Sequence, residues 1–473
     1  MRIRPFIKAL CAIGIFSASS IAFSADSFSC AANKSWITSP NAPAEVPDGK
    51  AADFCQFYQF SWQWFLQLVS PVKGQAIRQF QVQKNYPVLE ASGQNSCDQQ
   101  INGPVLFAAL NKIKNGFDMP ERTGQAGTGG EAIFDQAKNI VFYEVRFDRN
   151  LCNAGKIQAK PNFPGGTTEI KIAWKVLTSA DDASRYFIMK ANIDGVPGDE
   201  TLGLIGFHLA MATDLHPEMV WSSFEHIDNS AECNNGSEND QRWSFTSKAC
   251  IDKPDTCTFN IAVEPSPGKI TGNPTEICTS HPGGMEPGDP HFDKNSVALN
   301  DLNIQINAFL SELKQNDPMS VWKNYKNIGA LWVSDTSKGS LLSGTSDPYS
   351  NQRGSMRLAN TVMETTFQDG FVNNGVNQGP YSSNCFGCHE YTVDPVYRNT
   401  GPHNNFDVSH IFINDILAGQ CKNPTDVNAG PIGSDADAQS ICATTCENKG
   451  GWNGNWKTTT PGTQSVCACC DAK

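Results

Sequence analysis

Seventeen cysteines are spread along these 473 residues, and their layout limits the possible folds more than any other feature. Met1 to Lys8 carries Arg2, Arg4 and Lys8, an apolar stretch runs from Ala9 to Phe16, and Ala22-Phe23-Ser24 offers small residues for cleavage. These are the parts of a secretory signal peptide over residues 1–24, and they predict a periplasmic or secreted protein. Removing it takes Cys11 away. Eight of the remaining cysteines lie between Cys30 and Cys278, and six lie between Cys421 and Cys470. Even numbers in an oxidising compartment predict disulfides, and the grouping predicts two separately stapled units. Spacing alone leaves the connectivity open, since six cysteines admit about 15 pairings.

The two cysteines between these groups stand in Asn384-Cys385-Phe386-Gly387-Cys388-His389-Glu390. The spacing CxxCH lets two thiols add to haem vinyl groups while the adjacent imidazole reaches the iron. Chance placement at this composition gives about 0.01 such matches. The expectation is one covalent haem c, attached at Cys385 and Cys388 with His389 as proximal ligand. An ordinary disulfide is the competing reading, and a zinc site would need a second ligand pair.

A formal charge of −12 and a pI near 5.2 argue against a basic surface for nucleic acid or anionic lipid. After the leader, no stretch approaches the ~20 apolar residues of a membrane span. A mature chain of about 450 residues is long enough for two or three domains. The fold class expected is α+β, with a large mixed haem domain over 25–420, built from an antiparallel sheet and flanking helices. A small disulfide-rich unit follows over 421–473.

Within the large unit, Phe54, Phe57, Tyr58, Trp62, Phe65, Leu66 and Val69 recur at three and four, which predicts a helix with an aromatic core stripe. The glycine-rich run over 124–130 lacks the lysine of a phosphate loop and reads as a surface turn. Ile170, Ile172, Trp174 and Val176 alternate with Lys171, Ala173 and Lys175, which predicts an antiparallel strand. A less regular alternation covers Tyr186 to Ala191. The apolar runs Leu202 to Ala210 and Met219 to Ile227 predict central strands. Residues 229–292 read as a long disulfide-pinned excursion, and Val297 to Leu313 as a second helix.

No methionine follows Met363, so a second axial ligand cannot be a downstream thioether. It comes from upstream, from His403 or His410, or is absent. His208 and His226 lie in apolar runs where an imidazole must find a partner, either iron or an ordinary hydrogen bond. Met356 and Met363 fall on a predicted helix before the motif and read as core. An open iron site would bind peroxide or a small ligand, with a nearby histidine as general acid or base.

Five segments together resemble a family of exported bacterial single-haem proteins: Phe60-Ser61-Trp62-Gln63-Trp64-Phe65, Leu202 to His208, Trp221 to Asn229, Leu358-Ala359-Asn360-Thr361, and the CxxCH. The resemblance implies one haem-bearing unit over residues 50 to 415 and points to His208 and His226 as metal ligands. It implies no reaction. In the tail, Ala429-Gly430-Pro431-Ile432, Ser434 to Gln439, Gly451-Trp452-Asn453-Gly454-Asn455-Trp456-Lys457-Thr458 and Ser465-Val466-Cys467 are similar to a mannan-binding lectin domain. That resemblance implies a three-stranded sheet with one helix. It also implies an oligomannose-type glycan bound through Gly430, Pro431, Asp435, Trp452, Asn453, Gly454, Asn455, Trp456 and Thr458. Aromatic faces for C–H stacking and short polar side chains for hydroxyls suit that ligand. Gly433 departs from the pattern, which has tryptophan there. A disulfide-stapled cap with tryptophans in its core is the bland alternative.

The reading is thus an exported mono-haem c protein for electron transfer or haem redox chemistry, working with a redox partner and carrying a glycan-binding tail. The alternatives are an adhesion or recognition protein with structural haem, and a peroxidase-like enzyme.

Overall fold

The computed structural model describes residues 28–46 except 42 and 44, 54–88, 132–152, 163–192, 198–233, 243–263, 270–336, 351–368, 372–373, 376–377, 384–388, 425–446 except 434, 449, and 452–469. The signal peptide, the 124–130 turn, His389, His403 and His410 lie outside them.

Helix α1 spans Phe54–Val69 as its spacing predicts. Phe57, Tyr58, Trp62, Phe65, Leu66 and Leu68 are almost wholly buried, because α1 is covered by both a sheet and a second helix. That helix, α2, spans Phe292–Ser311 and starts five residues before the apolar stripe. Its first turn is fixed by polar contacts: buried Asn295 donates to Gly354 O at 2.9 Å and accepts from the Tyr58 hydroxyl at 3.1 Å. Asp293 there also suits the positive end of the helix dipole. The Cys30–Cys55 disulfide ties the preceding segment to α1.

The sheet is antiparallel throughout. Its strands are β1 (Phe142–Phe147), β2 (Thr168–Val176), β3 (Ile188–Asn192), β4 (Asp199–Met211), β5 (Val220–His226), β6 (Tyr325–Val333) and β7 (Gln352–Gly354). Among the described residues the order is β1-β2-β4-β5-β6-β7, with β3 beside the first half of β4. On one face, α1 and α2 pack on residues such as Phe207, Phe224 and Trp332. Phe57 stacks on Trp332 at 4.1 Å and Phe65 on Phe224 at 4.0 Å, which fixes the helix against the sheet. At Gly354 the close approach of β7 demands glycine, since a Cβ would stand 2.2 Å from Ala330 O.

The opposite face is covered too. Chain over 243–263 and 270–277 and a strap over 355–368 bury Ile205, Ala210, Trp221 and Leu331. Strand β2 is therefore covered on both faces: Ala173 is fully buried, and Lys175 is 3% exposed and ion-paired. The strap also corrects the helix expected around Met356 and Met363. Both methionines are buried as core, but the chain there runs in turns. Its polar groups are taken by sheet side chains instead of by a helical ladder: Asn360 Nδ2 donates to Ser223 Oγ at 2.9 Å, and Thr361 N donates to Glu225 at 2.6 Å. The excursion over 229–292 is pinned by Cys233–Cys278 and Cys250–Cys257, as expected.

In the tail, β8 (Thr425–Gly430), α4 (Asp435–Cys446), β9 (Trp452–Thr460) and β10 (Gln464–Cys469) form a three-stranded antiparallel sheet of order β8-β10-β9. Helix α4 lies on it through Ala438, Cys442 and Cys446. Cys442–Cys467 and Cys446–Cys469 join residues four apart on the helix to residues two apart on the strand. Those are the spacings that keep side chains on one face of each element. Among the described residues, no disulfide joins the tail to the large unit.

Candidate functional site

The CxxCH run begins with a single helical turn, α3, over Cys385–Cys388. Positions three apart on such a turn share a side. Asn384 is buried and anchors the turn: its Nδ2 donates to Gln352 Oε1 at 2.8 Å and to Met356 O at 2.9 Å. Phe386 is fully buried and meets Trp221 edge-on at 6.2 Å. It belongs to a wall with Met356, Leu358, Val362 and Met363, and half-buried Cys385 packs against that wall. Cys385 thus stands at the edge of a buried apolar cluster, on the turn where the motif would carry thioether links. His389 and the Cys388 side chain lie outside what is described.

His208 and His226 occupy different settings. His226 is enclosed at the end of β5, stacked on Tyr186 at 4.1 Å with Tyr325 edge-on at 5.1 Å. Its Nδ1 accepts from Asp228 N at 3.1 Å, so Nε2 carries the proton and donates to Arg185 O, also at 3.1 Å. Burial pushes its pKa down to about 4. With both ring nitrogens committed to the main chain, His226 is a structural core histidine and has no lone pair to offer a metal.

His208 lies on the strap side of β4, half-buried, with Nε2 3.1 Å from Glu364 Oε2. In the ladder it faces Ser223, two residues from Trp221 on the same side of β5, and Trp221 carries Phe386. His208 therefore shares a sheet face with the CxxCH turn. Burial pushes the Glu364 carboxyl up, but the His208 imidazole, the Lys171 charge and the Asn360 N–H outweigh it and hold the group below its ordinary range. Glu225, also on this face, is pushed up by burial. Strand β5, itself in one of the five segments grouped by resemblance, meets the other four: α1 through Phe224, β4 by pairing, the strap through Ser223 and Glu225, and the motif through Trp221.

In the tail, β-register brings expected glycan contacts together. Gly430 and Thr458 flank Ser465 from opposite sides of β10. Gly430 has φ 78°, the left-handed backbone that turns β8 into exposed Pro431 and buried Ile432. Along β9, Trp452 faces Cys469 and Trp456 faces Cys467, so four steps on one strand match two on the other. The Asn453-Gly454-Asn455 stretch is the surplus, pushed out of the ladder. Trp456 is half-buried and leans on the disulfide core, while Thr458 and Gly433 are exposed. Nothing is described for the side chains of Asp435, Trp452, Asn453 or Asn455.

Sequence reasoning missed one feature, a polar cavity beside β2, β3 and β5 that buries Lys175. Its only signal was a lysine alternating within an otherwise apolar strand.

Residues 435–469 match a family model described as mannan-binding protein (MVL). Neither curated proteins nor solved structures give a match. The tail is therefore a lectin-like unit by family likeness over α4, β9 and β10, and this identification covers the tail alone.

Proposed function

We propose that this protein binds mannose-rich glycan through its tail and carries one covalent haem c on its large domain. For the tail, the observation that carries the reading is the likeness over 435–469 joined to the register that gathers Gly430 and Thr458 around Ser465. The displaced Asn453–Asn455 backbone offers groups that the ladder does not consume, and such groups read sugar hydroxyls. A glycan array tests it. Oligomannose binding is expected in the parent and lost in Trp456→Ala and Thr458→Ala; equal binding by the variants overturns it.

For the large domain, the supporting observation is the position of α3, anchored by Asn384 and seated through Phe386 in an apolar wall. When bound, a haem c supplies one-electron redox chemistry at iron. Cys385 and Cys388 would hold it through thioether links, and His389 would supply an imidazole to the iron. His208 is the candidate for a second ligand, and Glu364, with Oε2 3.1 Å from its Nε2, orients the imidazole. Electron transfer is the preferred role, with an unidentified redox partner. Mass spectrometry of natively matured protein tests the attachment: an added porphyrin mass on the peptide holding Cys385 and Cys388 is expected. A Cys385–Cys388 disulfide with no added mass overturns it.

A further inference from the structure

A cavity of about 540 Å³ opens beside the β2–β3 connection and the end of β5, away from the CxxCH turn and the tail. We propose that it is a second ligand site, for one small neutral polyhydroxylated ring such as a monosaccharide. This rests on neither proposal above. Its size lies in the range of small-molecule sites.

The walls are pre-built by two ion pairs, one of them around buried Lys175. Lys175, 3% exposed, places Nζ 2.7 Å from Asp181 Oδ1, 3.2 Å from Ser244 Oγ and 3.7 Å from Asp135 Oδ2. Asp181 Oδ2 is in turn held by Thr178 through its N–H at 2.8 Å and its hydroxyl at 3.0 Å. Arg185 forks onto Asp228 with Nε at 2.7 Å and Nη2 at 2.8 Å. The Tyr186 ring cannot tilt, since it is clamped against His226. Fixed geometry of this kind lowers the ordering cost of binding a small polar molecule.

The ligand class follows from charge and from one open donor. The two cations of the wall are each paired, Lys175 with Asp181 and Arg185 with Asp228, and the third carboxylate, Asp182, is solvent-exposed and held by the Ser184 N–H and hydroxyl. An anion would meet those carboxylates, and an ammonium group would meet the guanidinium and amine. Neither charge is favoured, but the wall holds both donor and acceptor side chains. Hydroxyls, which both give and accept hydrogen bonds, suit such a mixed lining. Trp243 adds an aromatic surface, and its Nε1–H is buried with no partner among the described residues. Leaving such a donor empty is costly, and a sugar oxygen would fill it.

The test uses the full chain with Trp456→Ala in the tail as background, so that tail binding does not contribute. Saturation-transfer NMR and calorimetry are run with methyl α-mannoside, glucose and galactose, and with glucosamine and glucuronate as charged controls. Binding of at least one neutral sugar is expected, weakened roughly tenfold in Trp243→Phe and more in Trp243→Ala. Trp243→Phe keeps the packing and removes only the donor, so a loss there is not a folding defect. No signal from any neutral sugar, tighter binding of either charged control, or unchanged binding in both Trp243 variants overturns the proposal.

Discussion

The two faces of the large sheet are built by different rules. The helix-covered face is closed by interlocked aromatic rings, with Phe57 on Trp332 and Phe65 on Phe224. The strap face is held by hydrogen bonds between side chains and irregular backbone, and it carries His208, Glu225 and Glu364 beside Phe386. Rings supply non-directional burial energy that tolerates no cavity, whereas directional polar contacts fix where a flexible segment sits. The first face makes the fold; the second fixes where the strap sits.

The largest effect is expected from breaking the aromatic face. Phe65→Ala removes a fully buried ring and should cost about 3–5 kcal/mol in denaturant unfolding, with porphyrin attachment changed only in step with the folded fraction. Next comes the tail, where replacing Cys442 and Cys467 by serine opens a crosslink of sequence separation 25. About 3 kcal/mol should be lost from the tail transition, leaving the large domain's transition in place.

His226 supplies a pH test of similar size. Its pKa of about 4 in the folded state lies below the ordinary 6.5, so the unfolded chain binds the extra proton between those values. Its contribution is complete above pH 6.5 and is lost as pH falls toward 4, by about 3 kcal/mol at most. Denaturation midpoints of His226→Phe should show a shallower acid slope than the parent in that window.

On the strap face, His208→Ala deprives Glu364 of its partner and should cost about 1–3 kcal/mol. In haem-loaded protein it should also shift the visible absorption bands. A stability loss without any spectral change would confine His208 to anchoring the strap. The smallest effect is expected at the exposed pair of Lys457 with Asp426, where Lys457→Ala should alter tail stability by no more than about 0.5 kcal/mol.

Elements whose burial follows one period were legible in the sequence. Helix α1, the paired strands β2, β4 and β5 and the cysteine-pinned excursion stand where the residue pattern put them. Contacts made by polar groups were not legible. The first turn of α2 carries no apolar stripe because Asn295 holds it, and the strap mimicked a helix by its Leu, Val and Met content while Ser223 and Glu225 captured its backbone. His208 and His226 look alike in sequence, each flanked by aromatic or aliphatic neighbours. Which one keeps a ring nitrogen available depends on Arg185 and Asp228, and no local pattern records that contact. The tail pairings are readable only once α4 and β10 are known, since spacings of four and two then match a helix to a strand.

That matching has a mechanical consequence. Because both sulfur bridges leave β10 on the side facing α4, either one alone keeps helix and strand in alignment. A reductant that opens only one should leave the sugar-reading loops in place, and their collapse should be abrupt, arriving with the second cut.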